Sequence, residues 1–480
     1  MSLNLVSPGV KVREVDLTIG NITGANEQVG AIAGPFEQGP VGVPQLIESE
    51  QDLLKTFGQP GINTASTMVS DYWLSASSYL SYGGVLRVVR ADDDNMKNAT
   101  QGTAVKIKSY EDYNDNQANP TTWTVAARNP GSWANNLKVC AIDGRADQII
   151  TIDQATVAGL VGVGVTQSLS GRKIAKSDGT VVDATGYLRG VITGINDSGT
   201  NNDIEVKITD IVTENTPGGG VFTSEPVEYA EGSINEFRAG GIRLINTAGA
   251  DADVTGVNNG HTLESGDILD WYDQQTLGLT NSTVYWKSIA EKPSTSEFAS
   301  QRSGKNDEIH YVVVDDTGSV TGTSGNIIEK HLSLSKAKDG LISPSQNIYY
   351  RDYIANVSEY IFAGAQPASS LTAATGLTQS GTGKGWTLSD EGNWTTNAQG
   401  VTYAGIGATH YTLSGGLDYN GKENNFEVSL AGIIGGYDVF KNVAEYDVNF
   451  LIMGPSAANA DETSAKARKL IAIAEERKDC

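Results

Sequence analysis

Two short runs decide the fold class: "VGAIAGP" at residues 29–35 and "VLRVVRA" at residues 85–91. The first reads as a buried strand that ends at Pro35, and the second as another strand. What lies between them is helical. Ser49-Glu50-Gln51-Asp52 has the spacing of a capping box, with Leu53, Leu54 and Phe57 behind it. Gly58-Gln59-Pro60 stops that helix. Residues 66–82, "STMVSDYWLSASSYLSY", place Met68, Tyr72, Trp73, Ala76, Tyr79 and Leu80 along one helical face, and Gly83-Gly84 ends it. Strand, helix, helix, strand is an α/β layout.

The same character returns at the far end. Residues 347–364, "NIYYRDYIANVSEYIFAG", mark its return. "YDVNFLIMG" (446–454) reads as a strong strand, and residues 459–480 read as an amphipathic helix capped by Asn459 or Asp461. Its expected apolar side is Ala467, Leu470, Ile471 and Ala474. A further strand is expected after such a unit, so the core sheet reads as cut before completion.

Between these parts, residues 92–340 show almost no helical period. "TWTVAAR" (122–128), "NLKVCAI" (136–142), "YLRGVITGI" (187–195), "DIEVKITDIV" (203–212) and "EIHYVVVDD" (308–316) are β-like runs separated by Gly, Asn, Asp and Thr. "ENTPGGG" (214–220) and residues 246–260 are the loosest stretches. The expected fold is mixed α/β and β, a discontinuous α/β core interrupted by β-rich insertions. Its expected divisions are an arm at 1–20, core at 21–92 and 341–480, one β-rich domain from 93–150 with 246–340, and a second insertion at 151–245. The arm, "LVSPGVKVREVD" (5–16), alternates Val10, Val12 and Val15 against Lys11, Arg13 and Glu14 behind Pro8-Gly9, on a tether with Gly20, Asn21 and Gly24. It reads as a lone strand with no partner of its own.

Composition bounds the function. The 480 residues carry 34 basic and 57 acidic side chains, a net charge of −23, which speaks against a nucleic-acid partner because a phosphate backbone is met by a basic surface. Cys140 and Cys480 make no disulfide framework, no secretory leader is visible, and no apolar window is long enough to insert in a membrane. The chemistry-bearing residues are sparse. His261, His310, His331 and His410 stand in no metal-ligand spacing. "SGTGKG" (380–385) departs from a phosphate loop at Thr378 and Gly385 and reads as a turn. "ADDDN" (91–95) and "DADVTG" (251–256) bunch carboxylates without a complete calcium loop and read as solvated loops. Trp133 in "NPGSW" reads as the packing anchor of a turn, and Arg87 and Arg90 as opposite-facing strand residues paired with the acidic surface. No catalytic residue, cofactor or metal is expected.

An ordered set of stretches resembles the contractile tail sheath proteins of myoviruses, the T-even-like group in particular. They are "LVSPGVKVRE" (5–14), "KTFGQP" (55–60), "YLSYGGVLRVVRA" (79–91), "ARNPGSWANNLKV" (127–139), "YTLSGGLDYN" (411–420) and "AEERKDC" (474–480); residues 150–245 and 365–409 carry little of the likeness. Members of that family continue past the last stretch into a C-terminal domain that this sequence lacks. The resemblance implies a bacteriophage virion protein: subunits stacked as hexameric rings around a tail tube, contracting to drive the tube through the host envelope. It implies as partners other copies of the chain, the tube protein, and baseplate and tail terminator proteins. It also implies that the arm, through Val6, Ser7, Pro8, Gly9, Val10, Val12, Arg13 and Val15, adds a strand to a neighbouring subunit. A sheath of a bacteriocin or injection machine is the alternative within the class. A β-rich adhesin or carbohydrate-binding protein and a glycan-cleaving enzyme are the alternatives outside it.

The charge balance makes the first prediction. Filter binding to duplex DNA at low salt, where screening is weakest, should retain no complex at micromolar protein; salt-sensitive retention would reveal a basic surface that the net charge conceals.

Overall fold

The computed structural model describes residues 28–61, 68–117, 119–152, 161–175, 181–183, 186–197, 202–214, 222–225, 236–245, 262–263, 265–344, 346–367, 391–392 and 394–480. The core unit holds β1 (Val29–Gly34), β2 (Gln45–Ile47), α1 (Glu50–Phe57), α2 (Met68–Ser81), β3 (Val85–Arg90), α3 (Leu430–Asp438), β4 (Phe450–Leu451) and α4 (Ala460–Arg477). Its sheet runs β2-β3-β1-β4. β1 is parallel to β3, from Val29 opposite Val85 to Gly34 opposite Arg90, and parallel to β4 through Gly30–Phe450 and Ala31–Leu451. β2 is antiparallel to β3.

All six residues of β1 are buried, because helices cover both of its faces. Gly30 and Gly34 face α2: a Cβ at Gly34 would lie 2.4 Å from the Tyr72 ring, and one at Gly30 would lie 2.9 Å from the Tyr79 ring. On the opposite face Gly436 of α3 sits on Ala33, where an added Cβ would come within 2.8 Å of the Ala33 Cβ. The helices are set as the sequence signals them. The Ser49 hydroxyl accepts the Asp52 N–H at 3.1 Å, Gly58 closes α1 at φ +82°, and α2 buries Val69, Tyr72, Trp73, Ala76 and Leu80.

Two expectations for the C-terminal part fail. Residues 446–454 supply a strand of two residues rather than a long one. Side chains take over where the ladder stops: the Asn449 carboxamide accepts the Val29 N–H at 3.0 Å, the Tyr437 hydroxyl donates to the Ile452 carbonyl, and the Arg477 guanidinium donates to the Tyr446 carbonyl. The second correction concerns α4. Its buried side is Lys466, Leu470, Ile473 and Arg477, not Ala467, Leu470, Ile471 and Ala474, and Ile471 is 58% exposed. The helix is turned so that two long cationic side chains lie inward with their heads on oxygen acceptors, an arrangement that a polarity pattern reads as solvent-facing.

A second unit is antiparallel. Its four-stranded sheet runs Asn326–Ser335, Glu308–Asp315, Leu137–Asp143, Ala408–Thr412, and a three-stranded sheet runs Ile361–Ala363, Trp123–Ala127, Thr100–Gly102. Its apolar cluster includes Tyr350, Ile354, Trp394, Tyr403, Ile406 and Leu413. The described residues between about 341 and 417 therefore pack here, whereas the sequence reading gave 341–480 to the core. The helical pattern at 347–364 is a helix of eight residues, Tyr350–Val357, that buries Tyr350 and Ile354 against the antiparallel sheet. The chain rejoins the core cluster at Tyr419, Phe426 and Val428.

The third unit is an eight-stranded sheet whose path is 262–263, 242–245, 164–168, 187–197, 202–214, 148–152, 265–270, with 222–225 paired beside 202–214. The two ends of that path are separated by residue 264 alone, so the sheet curls round to bring its first and last strands together, as a small barrel does. Its interior holds Ile150, Val165, Leu188, Ile192, Ile204, Val206, Phe237 and Ile242. Strands 262–263 and 265–270, assigned from sequence to the other β-rich domain, belong to this sheet by pairing. Residues 215–220, 246–261 and 368–390, which contain the loose stretches and the "SGTGKG" run, lie outside the described residues.

The packing on β1 generates a paired prediction. Gly34→Ala should lower stability by roughly 1–3 kcal/mol through overpacking against Tyr72. Gly435→Ala, on the exposed side of α3 with nothing within 4 Å of the new methyl, should raise it by up to about 1 kcal/mol. Urea midpoints of the two variants should move in opposite directions.

Candidate assembly surface

The proposed strand donors, Val6, Ser7, Pro8, Gly9, Val10, Val12, Arg13 and Val15, lie outside the described residues. The structure does show where the chain that follows them enters the core. The Gln28 carbonyl accepts from the Tyr79 hydroxyl at 2.9 Å and the Val85 N–H at 3.1 Å, and β1 then runs between β3 and β4. Among the described residues β4 has a strand neighbour on one side only, and so does β2. Phe450 on β4 is 48% exposed and Leu46 on β2 is 49% exposed. A strand edge of this kind can accept an extended segment in backbone register.

Helix α4 beside the β4 edge is pinned by polar contacts. The Lys466 ammonium donates to the Tyr72 hydroxyl at 2.6 Å and the Pro455 carbonyl at 2.9 Å, and stands 4.7 Å from the centre of the Tyr72 ring. No carboxylate is among these contacts, and burial brings the Lys466 pKa down to about 8. Tyr72 moves the other way, its phenol pushed up by burial. Lower on the helix, Lys469 reaches Asp438 of α3 at 2.8 Å, and Arg477 bonds the carbonyls of Phe440 and Tyr446 and the Asp479 carboxylate.

A different cation joins the core to the antiparallel unit. Arg90 is fully buried at the end of β3. Its guanidinium donates to the carbonyls of Phe36 (2.8 Å), Glu37 (2.8 Å), Gly39 (3.2 Å) and Pro130 (2.6 Å), with Asp418 at 4.0 Å. Asp418 in turn accepts the Ser132 N–H at 3.1 Å, the Ser132 hydroxyl at 2.5 Å and the Asn424 N–H at 2.8 Å. Burial raises the Asp418 pKa, against the lowering pull of Ser132 and Arg90. Arg90 is thus not paired with an acidic surface, as its strand position suggested. Arg87 is the outward one, donating to the Asp447 carbonyl and lying 5.4 Å from the Tyr446 ring centre.

The remaining chemistry-bearing residues have packing roles. His310 is buried with both ring nitrogens engaged: Nε2–H donates to the Glu291 carbonyl at 2.8 Å and Nδ1 accepts the Ser333 N–H at 2.9 Å. Burial lowers its pKa. His331 meets Glu329 at 3.0 Å and the edge of Tyr353. His410 packs on Gly278, and its pKa is lowered by burial and by nearby Lys138. His261 and residues 251–256 lie outside the described residues. Asp92 of the "ADDDN" run binds Lys106 and Lys108 at 2.7 and 2.5 Å. Trp133 packs on Tyr360, with its indole N–H on the Asn129 carbonyl at 3.2 Å. The Cys140 thiol is buried and pushed up to about 12. Among the described residues no three His, Cys, Asp or Glu side chains are placed to hold a metal ion, and no helix is long and apolar enough to cross a membrane.

Likeness to a known protein runs along the whole length of the chain. The tail sheath protein of Enterobacteria phage T4 is 25% identical over 488 aligned residues, which take in 100% of this chain and 61% of that protein. A second, the tail sheath protein of Vibrio phage KVP40, is 35% identical over 99 residues, 20% of this chain and 14% of that one. No family model matches. A crystal structure of a sheath tail protein from Listeria innocua aligns at 12% identity with a TM-score of 0.17, over 51% of this chain and 35% of the other, too loosely to carry an argument about the fold. The chain spans about 61% of the length of its T4 relative.

Lys466 supplies a prediction with a definite sign. Its pKa is about 8 in the folded chain and about 10.4 in an unfolded one. Below pH 8 the native state must hold a buried charge. Between 8 and 10 the folded form releases a proton that the unfolded form keeps, so stability should rise with pH by on the order of 2 kcal/mol. Lys466→Met should abolish that rise. Urea midpoints of both proteins at pH 7.5 and 9.5 measure it, and an equal pH response in the two proteins would exclude Lys466 as its source.

Proposed function

We propose that the chain is a subunit of a contractile bacteriophage tail sheath, assembling with its own copies as stacked hexameric rings around the tail tube. Contraction of that sheath drives the tube through the host envelope. The single observation behind this reading is similarity to the T4 tail sheath protein over all of this chain. In the assembled tail its other contacts are the tube protein and the baseplate and tail terminator proteins, and it is made in the host cytoplasm before entering the virion. The core, with the arm ahead of it, meets neighbouring subunits; the β-rich insertions project outward, as inserted domains that leave and return at nearby points are free to do.

The arm is the assembly element in this reading. Val10 and Val12 would face a neighbour's sheet while the backbone of residues 6–15 bonds its edge strand. Donation from one copy to the next is head-to-tail, a contact that builds helices because it need not close. In the sequence Gly20, Asn21 and Gly24 stand between the arm and the core, so in this reading removing it should cost little of the intramolecular core. Deleting residues 1–18 should leave the melting temperature within a few degrees and abolish tubes in negative-stain micrographs. Tubes of normal length from the deleted protein would refute strand donation, and an absence of tubes or rings from the intact subunit would refute the sheath reading itself.

A further inference from the structure

The small barrel carries a short strap of which one side chain, Phe237, is buried in its interior. Residues 236–240, Glu-Phe-Arg-Ala-Gly, belong to no strand, yet their backbone is bonded at nearly every step by side chains from the barrel strands and an adjoining turn. The Gln148 carboxamide grips Phe237 twice, accepting its N–H at 2.8 Å and donating to its carbonyl at 3.2 Å. Gln167 does the same one residue on, accepting the Arg238 N–H at 2.9 Å and donating to the Arg238 carbonyl at 2.7 Å and the Gly240 carbonyl at 2.6 Å. Arg172 donates to the Glu236 carbonyl at 2.6 Å and also holds the Gln167 carboxamide oxygen. All three clamping residues are buried, at 9%, 6% and 7% exposure.

The side chain between the clamps has a socket. Phe237 is 1% exposed and sits among the interior residues of the barrel. Gly190, at an irregularity in strand 187–197, makes the room: a Cβ there would lie 2.8 Å from the Phe237 ring. Two carboxamides that each bond both the N–H and the C=O of one residue recognise backbone groups whatever the side chains that accompany them. A single aromatic socket then sets the register. This is the division of labour by which sheets bind peptides, main chain for affinity and a pocket for choice.

We propose that the barrel is a peptide-binding module, occupied here by the chain's own residues 236–240, and that the occupant it takes in trans is the same segment of a second copy. The end of the strap suits exchange, because Gly240, its last clamped residue, and Gly241 after it stand at φ +80° and +72°, with nothing within 4 Å of an added Cβ at either. No bond is made or broken in the exchange. It conserves every contact of the cradle, so the tether alone favours the intramolecular form, and local concentration in an array of copies opposes that preference. The array of copies rests on the sheath reading, but the cradle is tested on the isolated chain, so the failure of one is distinguishable from the failure of the other.

The experiment replaces residues 236–240 by a Gly/Ser run of equal length and adds a fluorescent peptide of sequence Asn-Glu-Phe-Arg-Ala-Gly-Gly. The variant should bind it, with a rise in anisotropy and in the melting temperature of the barrel. A peptide with Ala in place of Phe should bind at least tenfold more weakly. The unaltered chain should not bind, because its own tethered segment competes at an effective concentration of order millimolar. A variant that loses barrel structure alone should regain it when the peptide is added. Absence of binding and of any thermal shift, or equal response to the Phe and Ala peptides, would overturn the proposal.

Discussion

The guanidinium of Arg90 holds together parts of the chain that the sequence keeps far apart. Four carbonyls from residues 36, 37, 39 and 130 converge on it, and Asp418 stands behind. Guanidinium has five N–H donors in a planar fork and no acceptor, so it can fill a site lined by backbone oxygens that no lysine geometry matches. Two of the segments it gathers are themselves tied by Ser132, whose N–H and hydroxyl both bond Asp418. The core sheet and the antiparallel unit therefore meet through buried polar groups with satisfied partners, which fixes one relative placement more sharply than apolar contact does. Removing one member of such a set leaves the others buried and unpaired, and the cost falls on the whole junction.

The same device recurs at smaller scale. Lys466 and Arg477 fasten helix α4 by finding a phenol and carbonyls rather than carboxylates. Lys336 is buried on Asp143, whose carboxylate also takes the N–H groups of Ile406 and Gly407. In the barrel two glutamines and an arginine hold a strap. Well-satisfied buried polar contacts of this kind rigidify the parts they join.

Much of the architecture was legible in the sequence where local chemistry acts alone. The strand at 29–34 declares itself by small apolar residues that helices can approach, and α1 by its serine cap and closing glycine. The β-runs at 123–127, 137–143, 187–197, 202–214 and 308–315 are all strands in the structure. Their pairing was not legible, because register and order depend on which distant edges meet. Thus 262–270 joins the barrel and 408–412 joins the antiparallel sheet, against the divisions drawn from composition. The arm at residues 6–15 reads as an alternating strand and lies outside the described residues, and local spacing cannot show which edge would receive it.

Alternation, caps and glycine positions determined by themselves which segments are strands and helices, because those signals act within a few residues. Net charge and sparse histidines turned attention from nucleic acid and catalysis toward structure. Tertiary structure alone decided which polar side chains are buried. Arg90, Lys466, Gln148 and Gln167 look like surface residues by type, and each is inside because a set of backbone oxygens or amides, brought together by the fold, can bond it. That convergence is a property of distant segments, and no window of the sequence contains it.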